Sequence, residues 1–461
     1  MKVKGKFKGR KGKIISITCL SLLGAFVVTL GSLYAYGITY RPDAPVEKID
    51  KKSEYFTTYK NGVYDKNGDL FEIKGINIGN MFVQEGRLTP FALTPLKNED
   101  GSLVKDQDGN ILYPEFTEVE FREALLNNPN CGKENIDEWL DYYYDAWFND
   151  LDFENIVDIG FNSIRVPFYW ENILDEKFNR KSEDIAFKHL DKILEGAKKH
   201  NVYVILDLHG APGSQNGYEH SGSPIKEANL WYTPEYVDAT IDTRDYISEY
   251  YTTKRKDLSH QILCYDLLNE PTQVYGSGCG KICWEVFDKI YDKIRENNDE
   301  HIICMEGSWD FSGLPNPEAY GWENVMYQYH FYNWWNNFLP YNLFWAYMQL
   351  TNIGRQYEVP VYIGEFSFFH DKEQWMKQLK YFDDMHFGWS IWTYKMCVTG
   401  NWDNSWGIKV IKLNHDTSKE ETKTIVSNCT FEEFKATCDV CRTTSKDGEF
   451  LKETISEYLR K

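Results

Sequence analysis

Eight short runs of apolar residues recur between Phe71 and Trp392, with stretches of helical periodicity between them. They are Phe71 to Ile78, Asn162 to Val166, Val202 to Leu208, Ile262 to Leu268, His301 to Met305, Val325 to Tyr329, Pro360 to Ile363 and Gly388 to Trp392. Such runs suit strands buried on both faces of a parallel sheet. Eight of them alternating with helices predict a closed (β/α)8 TIM barrel of α/β class, whose chemistry sits at the C-terminal ends of the strands. The first and second runs are separated by a long insertion, residues 79–161, which holds the polar turns Lys97 to Gly101 and Asp106 to Asn110 and the aromatic stretch Trp139 to Trp147. An insertion there either shapes the cleft or makes a solvated excursion. Upstream, Gly62 to Phe71 places Asn67-Gly68 between alternating segments and predicts an N-terminal β-hairpin. The acids of that turn lack the glycine and distal glutamate of a calcium loop. Glu449 to Lys461 reads as a closing amphipathic helix.

The N-terminus follows a different pattern. Residues 1–13 carry seven basic side chains and no acid, and the run Ile14 to Tyr40 then contains no charge. That run is long enough to span a bilayer as a helix, and the preceding Lys and Arg residues would keep the N-terminus cytoplasmic. The organisation expected is a basic tail over 1–13, a transmembrane signal-anchor over 14–40, a Pro-containing linker over 41–60 and a barrel domain over 61–461. A signal peptide cleaved near Ala35-Tyr36-Gly37 is the rival, although its apolar core is normally only about 7 to 15 residues. Either reading exports the body, leaving it membrane-anchored or secreted.

Net charge is −19, and setting aside the seven N-terminal cations leaves −26 on the rest. An acidic body argues against nucleic acid as a partner and suits neutral ligands. The 15 Trp and 32 Tyr suit either core packing or stacking on sugar rings. Ten cysteines, one of them in the apolar run, leave nine elsewhere and no complete disulfide framework. Cys264 and Cys304 fall within strand runs as packing residues, while Cys279 with Cys283 and Cys438 with Cys441 are near enough to pair locally. Cys438 to Cys441 has no second CxxC or CxxH to complete a zinc site. Asn428-Cys429-Thr430 is a glycosylation sequon.

The candidate chemistry lies where the strand runs end. Arg165 ends the second; Asp207 and His209 the third; Asn269-Glu270-Pro271 the fourth; His330 and Tyr332 the sixth; Glu365 the seventh; Trp392 the eighth. Two carboxylates facing each other across a barrel mouth are the minimum equipment for cleaving a glycosidic bond. At about 5 to 5.5 Å apart, one is a nucleophile, the other an acid/base, and the reaction retains configuration. Arg165 and Tyr332 would stabilise the charge on Glu365, and that charge would keep Glu270 protonated. No metal or cofactor is required.

Leu267-Leu268-Asn269-Glu270-Pro271 and Ile363-Gly364-Glu365-Phe366-Ser367 resemble the two signature motifs of glycoside hydrolase family 5, a group of retaining β-glycosidases. The resemblance spans Gly75 to Gly407 and implies Glu270 as acid/base and Glu365 as nucleophile. It further implies Arg165, His209, Asn269, His330, Tyr332 and Trp392 as substrate-binding or supporting residues. Asn269 would bond the sugar 2-hydroxyl, His209 would hold sugar hydroxyls, His330 would orient the acid/base, and Trp392 would form the floor. Within the family, His209 to Gly217 with Ser221-Gly222 resembles a loop of exo-β-1,3-glucanases. Gly79-Asn80-Met81 and Thr393-Tyr394-Lys395 depart from that branch at the sugar-binding rim.

The function expected is hydrolysis of a β-glucan-type polysaccharide or oligosaccharide by double displacement, by a monomeric enzyme. An endo-β-glucanase on β-1,4 or β-1,6 linkages, or a glycosylceramide-cleaving relative, would keep the same eight residues. An inactive carbohydrate-binding barrel is the alternative of a different class, and the presence of both glutamates argues against it.

Overall fold

A computed structural model describes residues 23–32, 35, 39, 42–105, 109, 111–273, 278, 280–308, 313–332, 357–398, 405–413, 423–442 and 449–460. The chain divides into two units. One comprises Ala44–Tyr332 with Ile353–Lys461 and holds the barrel. The other comprises Met1–Asp43 with Asn333–Asn352, and among its described residues 23–32 are helical. Most of the uncharged run Ile14 to Tyr40 therefore lies outside the described residues. Among the described residues, no helix is long and apolar enough to cross a membrane.

Within the barrel unit, a short hairpin of β1 (Thr57–Tyr59) and β2 (Gly62–Tyr64) comes first. The barrel strands are β3 (Lys74–Asn77), β5 (Ser163–Tyr169), β6 (Tyr203–Gly210), β7 (Ile262–Asp266), β8 (Ile302–Glu306), β9 (Val325–Tyr332), β10 (Val361–Ser367) and β11 (Gly388–Ile391). Between β3 and β5, β4 (Phe91–Ala92) pairs outside the barrel with Thr424–Ile425. All eight barrel neighbours are parallel, and the pairing of Trp389 with Lys74 helps to close the ring from β11 to β3. Every predicted run overlaps one barrel strand, because burial on both faces is what made the runs continuously apolar. From β5 to β10 almost every strand residue is buried.

The hairpin forms one turn upstream of its predicted place. Regular pairing brackets Lys60-Asn61, whereas the Asn67-Gly68 turn closes only a bridge between Tyr64 and Leu70. Asp65 explains the difference, for its carboxylate accepts from the backbone N–H of Asn67 and of Asp69 and makes a tight local turn with little ladder beyond it. Part of the stretch read as a linker is also packed. Phe56 is buried edge-to-face against Phe71 and Tyr203, and Lys48 bridges to Asp69.

The insertion forms helices Glu118–Asn127, Gly132–Trp147 and Asp150–Ile159, the first and last opened by capping boxes at Thr117 and Asn149. Its middle helix supports the segment after β3: Trp147 Nε1 donates to the Gly79 carbonyl at 2.8 Å. Trp139 on the same helix stacks on Phe431 of helix Phe431–Arg442. Much of the aromatic surplus is core, since Trp139, Trp147, Trp375 and Trp389 are fully buried.

Cys264 and Cys304 are buried packing residues, as expected. Cys438 and Cys441 are free rather than paired with each other, and Cys441 Sγ instead faces Cys397 Sγ at 3.8 Å. Both lie on one helix, whose geometry points them to different neighbours. Cys283 is free and buried, and Cys279 lies outside the described residues.

Candidate active site

The parallel barrel directs the C-terminal ends of all eight strands to one mouth, and seven of the candidate residues sit in the last three positions of a strand or follow it, whereas Arg165 is the third of the seven residues of β5, which runs past its predicted end. Arg165 (β5), His209 (β6), His330 and Tyr332 (β9) and Glu365 (β10) lie in strands, while Asn269 and Glu270 follow β7 and Trp392 follows β11. Glu270, at φ +42°, occupies the left-handed region, an unfavourable conformation for a side chain of its size. Its N–H donates to Glu306 Oε2 at 2.8 Å, which holds the turn. A carboxylate oxygen of Glu270, one of Glu365 and a ring nitrogen of His330 lie within 4.8 Å of one another.

Arg165 organises the floor. Fully buried, it donates to Glu365 Oε1 (2.7 Å), Asp266 Oδ2 (2.8 Å), Asn269 Oδ1 (2.8 Å) and Asn77 Oδ1 (3.0 Å), and pairs with Asp207 at 3.1 Å. Burial opposes its charge, but Asp207, Asp266 and Glu365 more than offset it and hold the guanidinium well above its ordinary pKa. Asn269 has only its oxygen engaged by Arg165. Its buried Nδ2 has no partner among the described residues and is available to a ligand hydroxyl.

Tyr332 donates to the other oxygen of Glu365 at 2.7 Å, and burial followed by the charge of Glu365 raises its phenol well above the ordinary value. His209 Nδ1 contacts Asp207 at 2.7 Å, its ring stacked on Trp392 at a centroid distance of 5.4 Å. Burial pushes the His209 imidazole down to about 3, so it is neutral at working pH.

Glu270 stands between two imidazoles. His330 Nδ1 lies 2.7 Å from Oε1, and His220 Nε2 lies 2.8 Å from Oε2. Behind His330, Gln328 Nε2 approaches the far ring nitrogen at 3.2 Å and donates to Glu306 Oε2 at 3.1 Å. An amide N–H meeting Nε2 leaves the ring proton on Nδ1, aimed at Glu270. The charge balance differs from the sequence expectation. Burial raises the Glu270 pKa, but the charge and hydrogen bond of His220, and then the hydrogen bond of His330, outweigh it and hold the carboxyl well below its usual range. A raised value followed from Glu365 alone, whereas His220 is brought in by a loop with no periodic signal.

Several site residues were not singled out from the sequence. Glu306 ends β8 as the other site residues end theirs, and attention to the fifth strand end would have found it. Burial, then the charges of Glu270 and Asp266, push its carboxyl well above the ordinary value. Glu85 is buried in the segment after β3, paired with Arg87 at 2.7 Å, and its N–H donates to Asn80 Oδ1. Asn77 braces β3 through the Gly364 carbonyl. Of the rim departures, Lys395 turns away from the mouth. It is buried against Asp152 at 3.1 Å and the Cys441 carbonyl at 3.2 Å, while Thr393 Oγ1 ties the Gly79 N–H to the Asn77 carbonyl.

The profile described as Cellulase (glycosyl hydrolase family 5) matches residues 129–397, a range that contains all eight candidate residues. A β-xylosidase of Phanerodontia chrysosporium is 28% identical over 363 residues, 72% of this chain and 69% of that protein. Glucan 1,3-beta-glucosidase 2 of Wickerhamomyces anomalus is 28% identical over 282 residues, 60% of this chain and 57% of its own length. Its namesake in Saccharomyces cerevisiae is 27% identical over 67% of this chain and 55% of its own. The chain thus spans little more than half the length of these glucosidases. A rutinosidase from Aspergillus niger superimposes with a TM-score of 0.50 at 13% identity, covering 79% of this chain and 97% of that one, a likeness of fold.

Proposed function

Because the chain belongs to glycosyl hydrolase family 5, we propose that it is a retaining β-glycoside hydrolase with Glu365 as nucleophile and Glu270 as acid/base. The observation that carries this reading is the separation of the two carboxylates. One oxygen of each within 4.8 Å of the other suits the about 5 to 5.5 Å of retaining enzymes better than the about 6.5 to 9.5 Å across which inverting enzymes place a water. In the first step Glu365 attacks the anomeric carbon while the bond to the leaving oxygen breaks and Glu270 delivers a proton to that oxygen. In the second, Glu270 takes a proton from water, the water oxygen attacks the same carbon, and the Glu365 ester is released. The free Nδ2 of Asn269 suits a sugar hydroxyl at the cleavage site, His209 a further hydroxyl, and Trp392 a ring face. His330, locked as an Nδ1–H donor, orients Glu270.

The substrate we infer is a β-glucan with terminal β-1,3-linked glucose, on the strength of the glucosidase relatives and the loop from His209 to Gly222. The similar share of sequence held in common with a β-xylosidase supports a second reading, action on β-xylosides. Laminarin, pustulan, cello-oligosaccharides and aryl β-glucosides and β-xylosides would be assayed side by side, with NMR of the first-formed anomer. Release of β-glucose from laminarin is the expected result; α-anomer product would end the retaining assignment, and turnover of xylosides alone would end the glucan assignment.

The uncharged run after seven basic residues supports an exported body held by an N-terminal span over 14–40, with the hydrolase over 61–461. Detergent-dependent extraction and protease sensitivity from outside intact cells are the expected results. A freely soluble product beginning near Ile38 would instead identify a cleaved signal peptide.

A further inference from the structure

The loop that follows β6 was read from sequence as part of a branch-specific motif, yet one of its side chains lies against the acid/base. His220 sits in a single turn of 3-10 helix, Glu219–Ser221. Ser221 Oγ is 2.7 Å from Ser214 Oγ and also donates to the Tyr218 carbonyl. Asn216 Oδ1 accepts from the Tyr218 N–H at 2.8 Å. Gln215 Nε2 donates to the carbonyls of His209 (2.8 Å) and Asn269 (2.9 Å), tying the loop to the ends of β6 and β7 together. At Gly210 a Cβ would stand 2.4 Å from the Ser221 carbonyl oxygen, so only glycine lets the loop fold back this closely. The loop is a built support with His220 at its inner edge and 19% of that side chain exposed.

The Nε2 atom of His220 meets two unlike partners: Glu270 Oε2 at 2.8 Å and Asn216 Nδ2 at 3.1 Å. One is an acceptor when ionised and the other a donor. With the proton on nitrogen, Nε2–H donates to the Glu270 carboxylate. With the proton on Glu270, the carboxyl O–H and the Asn216 N–H both donate toward Nε2. The first placement leaves the Asn216 N–H opposed to Nε2–H and the second turns it toward a lone pair, so at 2.8 Å each placement is favoured by a different partner and one proton can serve both groups. His330 offers no such choice, being set as an Nδ1–H donor by Gln328.

We propose that His220 is a positioning residue that shares a single proton with Glu270 and supplies it during turnover. The inference rests on the retaining hydrolase reading. In the resting pair the proton resides on His220, opposite ionised Glu270. It passes to Glu270 as the glycosidic bond lengthens and then to the leaving oxygen, which takes the bonding electron pair; Glu270 is left ionised and His220 neutral. In the second half-reaction Glu270 removes a proton from the attacking water and returns it to His220, so the cycle closes with no proton gained or lost beyond hydrolysis. Facing the pair are Glu85 from the segment after β3, Arg165 from β5, His209 from β6, Tyr218 and Glu219 from the loop itself, Glu306 from β8, His330 and Tyr332 from β9, and Glu365 from β10. Burial opposes a charged His220, but Glu270, Glu219 and Glu85 outweigh it and raise the imidazole to about 9.

The test uses the whole chain, with His220→Asn and His220→Gln beside the parent, all checked for native circular dichroism. If the proton is shared, kcat/KM for an oligosaccharide or p-nitrophenyl glycoside has its alkaline limb set by the pair. Losing His220 then moves that limb to lower pH by about one unit or more. A dinitrophenyl glycoside, whose leaving group needs little protonation, should lose far less. A limb that stays in place, or moves to higher pH, overturns the proposal, the latter because His220 would be acting as a fixed cation. NMR in Glu365→Gln protein needs no turnover. The 15N shift of His220 and the 13C shift of the Glu270 carboxyl should titrate with common midpoints, whereas independent midpoints overturn the sharing. If the parent hydrolyses no glycoside, the retaining reading fails by itself and the NMR arm still decides whether the pair exists.

Discussion

Glu365 and Glu270 lie on opposite sides of one cleft, both within reach of His330, yet their holders are of different kinds. Glu365 is gripped by the Arg165 guanidinium and the Tyr332 phenol, each at 2.7 Å and each pushed further from titration by its surroundings. These partners present the same charge across the working pH range, as a group that must remain an anion until it attacks requires. Glu270 is gripped by two imidazoles, at 2.7 and 2.8 Å. A group that must give and take a proton in one cycle is served by one fixed N–H donor, His330, and one neighbour, His220, whose proton can move. In burial the two surroundings are alike in part, each having one enclosed holder, Arg165 or His330, and one partly exposed holder, Tyr332 or His220.

Removing the carboxylates breaks the comparison most severely. Glu365→Gln should lower kcat by on the order of 10^4-fold or more, since an amide cannot form the glycosyl ester, and a fluoro-sugar inactivator should label Glu365 alone in the parent by mass spectrometry. Labelling elsewhere would remove the nucleophile assignment. Glu270→Ala should cost roughly 10^2 to 10^4-fold with poor leaving groups and much less with activated ones. Azide should rescue it with retained product, and Glu365→Gly with inverted product; the same stereochemistry from both would contradict the division of roles.

Arg165→Met separates the fixed side from the adaptable one through stability. It leaves Asp207 and Asp266 buried without the cation they pair with directly, Arg244 acting on their carboxylates only through its charge, and about 3 to 5 kcal/mol should be lost in chemical denaturation. A loss below about 1 kcal/mol would mean that the floor does not depend on the guanidinium.

The His220 side should respond to pH instead. Its pKa is raised on folding, so its stabilising contribution is complete below the ordinary imidazole value and is lost as pH rises through about 9. Glu270 is depressed, so its contribution is complete above the ordinary carboxylate value and is lost as pH falls through the lowered one. The Tm difference between parent and His220→Asn should therefore be widest between those ordinary values and narrow toward pH 9 and above. A difference independent of pH would show that the two groups form no ion pair.

Glu306→Gln should be the mildest change. Burial pushes its carboxyl pKa up, and an amide oxygen can still accept from the N–H of Glu270 and from Gln328. A loss of kcat/KM beyond roughly tenfold would indicate that Glu306 carries charge in the working enzyme.

What the sequence determined by itself is what periodicity and strand ends encode. A strand buried on both faces must be apolar throughout, so the eight runs were visible as text, and parallel strands put their C-terminal ends at one mouth, so Arg165, Asn269, Glu270, His330, Tyr332 and Glu365 could be grouped before any coordinates. What only tertiary structure decided lies between the strands or depends on distance. The turn at Lys60-Asn61, the burial of Phe56, the approach of Cys441 to Cys397 and the inward face of Lys395 all depend on which segments meet in space. The electrostatic state of Glu270 belongs with them. From sequence its neighbour was the like charge of Glu365, which raises a carboxyl; in the fold a loop braced by Gln215 and Ser214 sets His220 2.8 Å away, and an ion pair at that distance reverses the direction. Coulombic energy depends on separation in three dimensions, and His220 and Glu270 are separated by fifty residues of chain whose folding alone closes the gap.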